Sequence, residues 1–182
     1  MKPDRIILVR HAESEGNVDR SVYAKIPDYK LGLSPSGVEQ AVQLGGRLKA
    51  LLQEQPAMFY VSPFWRTRQT FEYLAQSLAN NALKVREEPR LREQDWGHLR
   101  SASEGSEIEK QRDAYGAFYF RIPDGESCAD VYDRVTTFLE TLHRDFEKPD
   151  FPVNAVLVTH GMAMRLFLMR WCTSRTSVSR NM

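Results

Sequence analysis

The sequence predicts an α/β fold: a doubly wound, mostly parallel sheet flanked by helices. Two observations carry that expectation. Short, β-branched apolar runs alternate with stretches whose apolar residues recur at helical spacing, the pattern of βαβ units. The runs Ile6–Val9, Met58–Val61 and Ala155–Thr159 are apolar almost throughout, as strands buried on both faces should be.

Ile6–Val9 is the first strand. The polar stretch from Glu13 to Leu33 contains Gly16, Pro27 and Gly32 and reads as a loop over the strand ends. Ser34 is a candidate helix N-cap with Pro35 at the first helical position. Val38, Ala41, Val42, Leu44, Leu48, Leu51 and Leu52 then recur at helical spacing before Pro56. Met58–Val61 is the second strand, ended by Ser62-Pro63, and Thr67–Leu78 has helical spacing again. Val85 marks a third strand candidate. Residues 98–120 are polar, then aromatic, and are expected to be helical in part; Tyr115, Phe118, Tyr119 and Phe120 suit either the core or a pocket wall. Pro123–Ser127 reads as a turn, about Cys128 to Asp145 as a helix, Ala155–Thr159 as the clearest later strand, and Met162–Arg170 as the helix after it.

A chain of 182 residues, 42% apolar and 27% charged, suits one globular domain. Its expected extent is 1–171, followed by a polar tail, 172–182, without apolar periodicity and expected to be disordered. A net charge of +1 excludes bulk attraction to nucleic acid or membrane, so an anion site must come from local clustering. No apolar run approaches the roughly 20 residues of a membrane span, and no signal peptide is visible. A cytoplasmic protein without nucleic-acid or membrane partners is expected. Cys128 and Cys172 match no zinc spacing and read as reduced thiols.

In doubly wound sheets, ligands sit beyond the carboxyl ends of the strands. That rule selects Arg10-His11, Ser62 to Arg66, and His160-Gly161. Taken singly, each has a structural explanation: a polar strand end, a solvated helix start, a histidine in a turn. Glu93 alone is a surface carboxylate, and Asn17 a loop residue capping a turn. Gathered in one crevice, two histidines and two arginines make a poor metal site, because guanidinium is no ligand and repels cations. They make a good phosphate site: guanidinium pairs with phosphate oxygens through charge-assisted bonds, and neutral imidazole is a competent nucleophile.

The segment Arg10-His11-Ala12-Glu13-Ser14-Glu15-Gly16-Asn17 resembles the signature of the histidine phosphatase superfamily, the phosphoglycerate mutase-like proteins. Ser62–Thr70 resembles that family's second block, Arg90–Gly97 its third, Pro123–Ser127 a further turn, and Val158–Gly161 its last. The blocks fall in order across residues 5–171, and within the superfamily the likeness is to plant and fungal phosphoglycerate mutase-like proteins. The resemblance implies that His11 attacks phosphorus and becomes phosphohistidine. Arg10, Arg66 and His160 would hold the phosphoryl oxygens and supply charge, and Glu93 would protonate the leaving oxygen. Asn17 and Gly161 would line the substrate site. It implies a small phosphorylated substrate, no cofactor and no metal.

Two requirements follow. His11 must present a lone pair, so its other ring nitrogen should donate to a fixed acceptor. Glu93 must be protonated when it acts, although nearby arginines favour its ionised form; a bound phosphate dianion offsets them, and a mildly acidic optimum is expected.

Three departures from the family pattern bear on function. Ala12 replaces the usual glycine, and a negative φ is expected there. The interval Gln94–Gly125 is shorter than in mutases, and its Lys110, Arg112 and Arg121 are scattered rather than paired, which favours hydrolysis over mutase action. The family continues beyond the last helix with another edge strand, so the sheet is expected to lack it. A phosphoglycerate mutase-type phosphotransferase and a truncated, inactive phosphate binder stand as alternatives.

Overall fold

The computed structural model describes residues 3–79, 81–99 and 101–178. Four strands, β1 (Arg5–Arg10), β2 (Ala57–Val61), β3 (Leu83–Glu87) and β4 (Asn154–Thr159), form one sheet in the order β1-β4-β2-β3. Every pairing is parallel, and Ile7, Val156, Phe59 and Val85 lie side by side across it.

Strand side chains alternate between faces, and here the alternation builds two cores. Ile6, Leu8, Met58, Tyr60, Ala155 and Leu157 face one layer, made of α5 (Cys128–Phe146) and α6 (Gly161–Val178). Ile7, Val9, Phe59, Val61, Val156 and Val158 face the other, made of α2 (Pro35–Leu52) and α3 (Trp65–Ala75). β2 and β4 are buried along their whole length, which is why they read as unbroken apolar runs. β3 is an edge strand and, unlike the other edge β1, is mostly exposed, so it needs few apolar residues and Val85 alone marked it.

The helix signals act as expected. Ser34 Oγ accepts from Gly37 N at 3.0 Å, with Pro35 opening α2. Ser127 and Asp130 form a capping box at the start of α5.

Three segments differ from expectation, while the 98–120 interval is helical in part, as expected. The stretch Glu13–Leu33 is not a plain loop: it carries α1 (Glu15–Val18) and three-ten turns at Arg20–Ala24 and Asp28–Lys30, closed by a bridge between Ser14 and Leu33. The second helix begins earlier, at Trp65, and tightens to a three-ten turn at Gln76–Leu78. In the 98–120 interval, α4 (Ala102–Tyr115) stops at Gly116, whose φ is 110°. The aromatic cluster beyond it divides: Phe118 packs on the core, whereas Tyr115 and Tyr119 are exposed. Finally, α6 runs to Val178, so residues 172–178 continue the helix where a tail was expected. Thr173 Oγ1 turns back to the carbonyls of Met169 and Arg170, a helix-compatible way to satisfy a hydroxyl; residues 179–182 lie outside the described residues. Among the described residues, no helix is long and apolar enough to cross a membrane.

Candidate active site

All four carboxyl ends of the strands lie on one side of the sheet, because every strand is parallel. A cleft of about 950 Å³ opens there, lined by Arg10, His11, Asn17, Arg66 and Glu93, and by the turns between Tyr23 and Tyr29.

His11 follows β1, and its N–H continues the ladder onto Thr159 O at 2.8 Å. Its ring is 7% exposed. Nδ1 lies 2.7 Å from the Ala12 carbonyl. A carbonyl only accepts, so Nδ1 carries the proton and Nε2 keeps its lone pair. Burial, reinforced by the charge of Arg66, lowers the His11 pKa to about 3, and the ring is neutral at physiological pH. Ala12 is absent from the positive-φ residues, so the alanine carries no left-handed strain.

His160 follows β4 and is fully buried, 5.2 Å from His11 between ring centroids. Its pKa is pushed well down by burial and then by Arg66. Here the structure corrects an expectation: His160 offers a hydrogen bond rather than a positive charge. Ser62 Oγ, just past β2, lies 2.8 Å from His160 Nε2, while the Phe64 N–H reaches that Oγ at 3.5 Å. With Ser62 giving its hydrogen to Nε2, the His160 proton resides on Nδ1. That atom is buried with no partner among the described residues. A buried donor left unmade costs about 1–3 kcal/mol, which a bound anion oxygen would recover.

Arg66 opens α3 and is 3% exposed. Its guanidinium lies 5.0 Å from the centre of the Phe64 ring and is held by Asp28. Arg10 ends β1 opposite Thr159. A Cβ added to Gly161 would lie 3.8 Å from Arg10 Nε and 4.0 Å from Glu93 Oε2, so these groups crowd the first turn of α6.

Glu93 is half-buried and caps that turn, with Oε2 accepting from Met162 N at 3.4 Å. Oε1 accepts from Gln94 N at 3.0 Å. Arginines were expected to hold the carboxyl ionised. Burial outweighs them, and its pKa is raised. Arg134, on α5, clamps the segment: it donates to the carbonyls of Arg90, Arg92 and Glu93 and pairs with Glu126 at 2.9 Å.

Asn17 lies on the cleft wall, exposed, but its Oδ1 accepts from Ser14 N and Ser14 Oγ. Its turn-capping and cleft-lining readings therefore both describe it. Arg10, His11, Asn17, Arg66 and Glu93 line the cleft, while His160 and Gly161 lie behind them, beside His11 and beside Arg10 and Glu93 respectively. The strand-end rule points to Ser62 within Ser62–Arg66 but assigns it no role; Asp28 is not selected, because it sits in an aperiodic polar stretch and gives no signal. Among the described residues, no three His, Cys, Asp or Glu gather as metal ligands.

A family model described as histidine phosphatase superfamily (branch 1) matches residues 6–181. The chain is 44% identical to phosphoglycerate mutase-like protein AT74 of Arabidopsis thaliana, over 93% of this chain and 58% of that protein. It thus spans less than two thirds of that relative's length. It is 28% identical to the broad-range acid phosphatase DET1 of Saccharomyces cerevisiae, covering 93% of this chain and 79% of that one. Among solved structures, it resembles a mycobacterial glucosyl-3-phosphoglycerate phosphatase in complex with VO3, with a TM-score of 0.67 and 26% identity over 90% of this chain and 78% of the other.

Proposed function

Because the chain belongs to the histidine phosphatase superfamily, we propose that it hydrolyses phosphoric monoesters through a phosphohistidine formed on His11. The observation that carries this reading is the bond from His11 Nδ1 to the Ala12 carbonyl, which leaves a neutral Nε2 lone pair in a cleft lined by Arg10 and Arg66.

In the first step, the Nε2 lone pair attacks phosphorus, the P–O ester bond breaks, and the leaving oxygen takes the proton of the Glu93 carboxyl. In the second, water attacks the phosphohistidine, Glu93 takes the water proton, and the P–N electrons return to Nε2. Arg10 and Arg66 offset the charge of the phosphoryl oxygens, and His160 Nδ1 donates to one of them. This chemistry asks for no metal, since the guanidinium groups do what a cation does in other phosphoryl transfers. Asn17 and Gly161 border the substrate.

Hydrolysis is favoured over mutase action by where the cations of the Gln94–Gly125 interval go. Arg112 lies over the Trp96 ring and pairs with Asp113, while Arg121 pairs with Asp130. Neither these arginines nor Lys110 lines the cleft, so they are not placed to grip a substrate carboxylate. The acid phosphatase DET1 among the relatives points the same way.

A panel of phosphate esters assayed with wild type and His11→Ala tests the reading. Turnover in wild type, its loss in the variant, and acid-labile phosphate trapped on His11 are expected. An active His11→Ala protein overturns it.

A further inference from the structure

Arg66 is not free to turn. Its Nη1 donates to both the backbone carbonyl and Oδ1 of Asp28, each at 2.8 Å, and its Nη2 donates to Asp28 Oδ2 at 3.3 Å. A guanidinium has five N–H donors in a rigid planar fork. One residue therefore engages three of them, and no other partner is found for the rest among the described residues. The two left, on Nε and on the Nε side of Nη2, share one edge of the fork. That edge is the pair that matches two oxygens of a phosphate.

Both partners are placed for this. Arg66 is buried at the start of α3, whereas the Asp28 carboxylate is one-third exposed on the three-ten turn Asp28–Lys30, which forms part of the cleft wall. Arg66 is 3% exposed and lines the cleft together with His11 and Glu93, so the edge left free borders the site rather than bulk solvent. A buried cation also needs a partner while the cleft is empty, and Asp28 supplies it without covering the phosphate-binding edge.

We propose that Asp28 is a positioning residue: by taking three donors of Arg66, it aims the remaining edge at the phosphoryl group of the substrate. The proposal rests on the role proposed above for Arg66.

The test measures inhibition by inorganic phosphate of p-nitrophenyl phosphate hydrolysis, using the full chain. Asp28→Ala, Asp28→Asn and Arg66→Ala are compared with wild type, with circular dichroism to verify folding. Asp28→Ala is expected to weaken phosphate binding and raise KM by about tenfold. Asp28→Asn, which keeps the backbone carbonyl and one side-chain acceptor, is expected to recover much of that loss; general loosening of the fold would not produce this graded rescue. Phosphate binding in both Asp28 variants as tight as wild type, or tighter, overturns the proposal, because the carboxylate would then be a bystander or a competitor. If Arg66→Ala itself leaves phosphate affinity unchanged, the proposed role of Arg66 fails first.

Discussion

Ser62 Oγ and His160 Nε2 lie 2.8 Å apart, both buried, at the ends of neighbouring strands β2 and β4. If the hydroxyl donates to Nε2, the choice of nitrogen for the His160 proton falls on Nδ1, and in the proposed mechanism Ser62 then acts on phosphate through His160.

Replacing Ser62 by alanine removes that choice. kcat on a simple phosphate ester should fall by about tenfold to a hundredfold, while stability drops by about 1 kcal/mol for the lost hydrogen bond. Steady-state kinetics together with a thermal melt separate the two effects. An unchanged kcat in a folded variant counts against the tautomer argument.

The pH profile follows from two opposite shifts. His11 attacks as the neutral ring, and its pKa near 3 keeps it neutral above that value. Glu93 acts as an acid, and its raised pKa keeps it protonated further up the scale than an ordinary carboxyl. Activity should therefore be highest on the mildly acidic side and decline as pH rises through the Glu93 pKa. Measuring kcat/KM against pH checks this, and Glu93→Gln should abolish the alkaline limb. A profile that is flat or rises into alkali removes Glu93 as the acid.

Arg134 ties catalysis to folding. Its side chain and that of Glu126 are both largely buried, and it holds three carbonyls of the Glu93 segment. Arg134→Met leaves the Glu126 carboxylate with only Arg92 and the Asp95 N–H. The variant should lose roughly 3–5 kcal/mol, the usual cost of breaking a buried pair, and kcat should fall as Glu93 loses its fixed carbonyl. Urea unfolding and kinetics at low temperature, where the variant stays folded, test both parts.

Much of this was legible along the chain. The strands β2 and β4 announced themselves because burial on both faces demands unbroken apolar runs, and the partly buried edge strand β1 did so because its alternate side chains enter both cores; the strand-end rule then selected Arg10, His11, Arg66 and His160. Other features were not legible. The turns within Glu13–Leu33 are held by contacts such as Ser14 with Leu33 and Asp28 with Arg66, which leave no periodic trace. The protonation of Glu93 and His160 likewise depends on how deeply packing buries them.

The sequence by itself determined the alternation of strands and helices, the parallel sheet, and the residue types gathered at its carboxyl edge, because hydrophobic period and turn chemistry are local. Only the tertiary structure decided which His11 nitrogen is free, that His160 is neutral, and that Asp28 holds three donors of Arg66. Those outcomes depend on desolvation and on hydrogen bonds between groups distant in sequence, which exist only once the chain has folded.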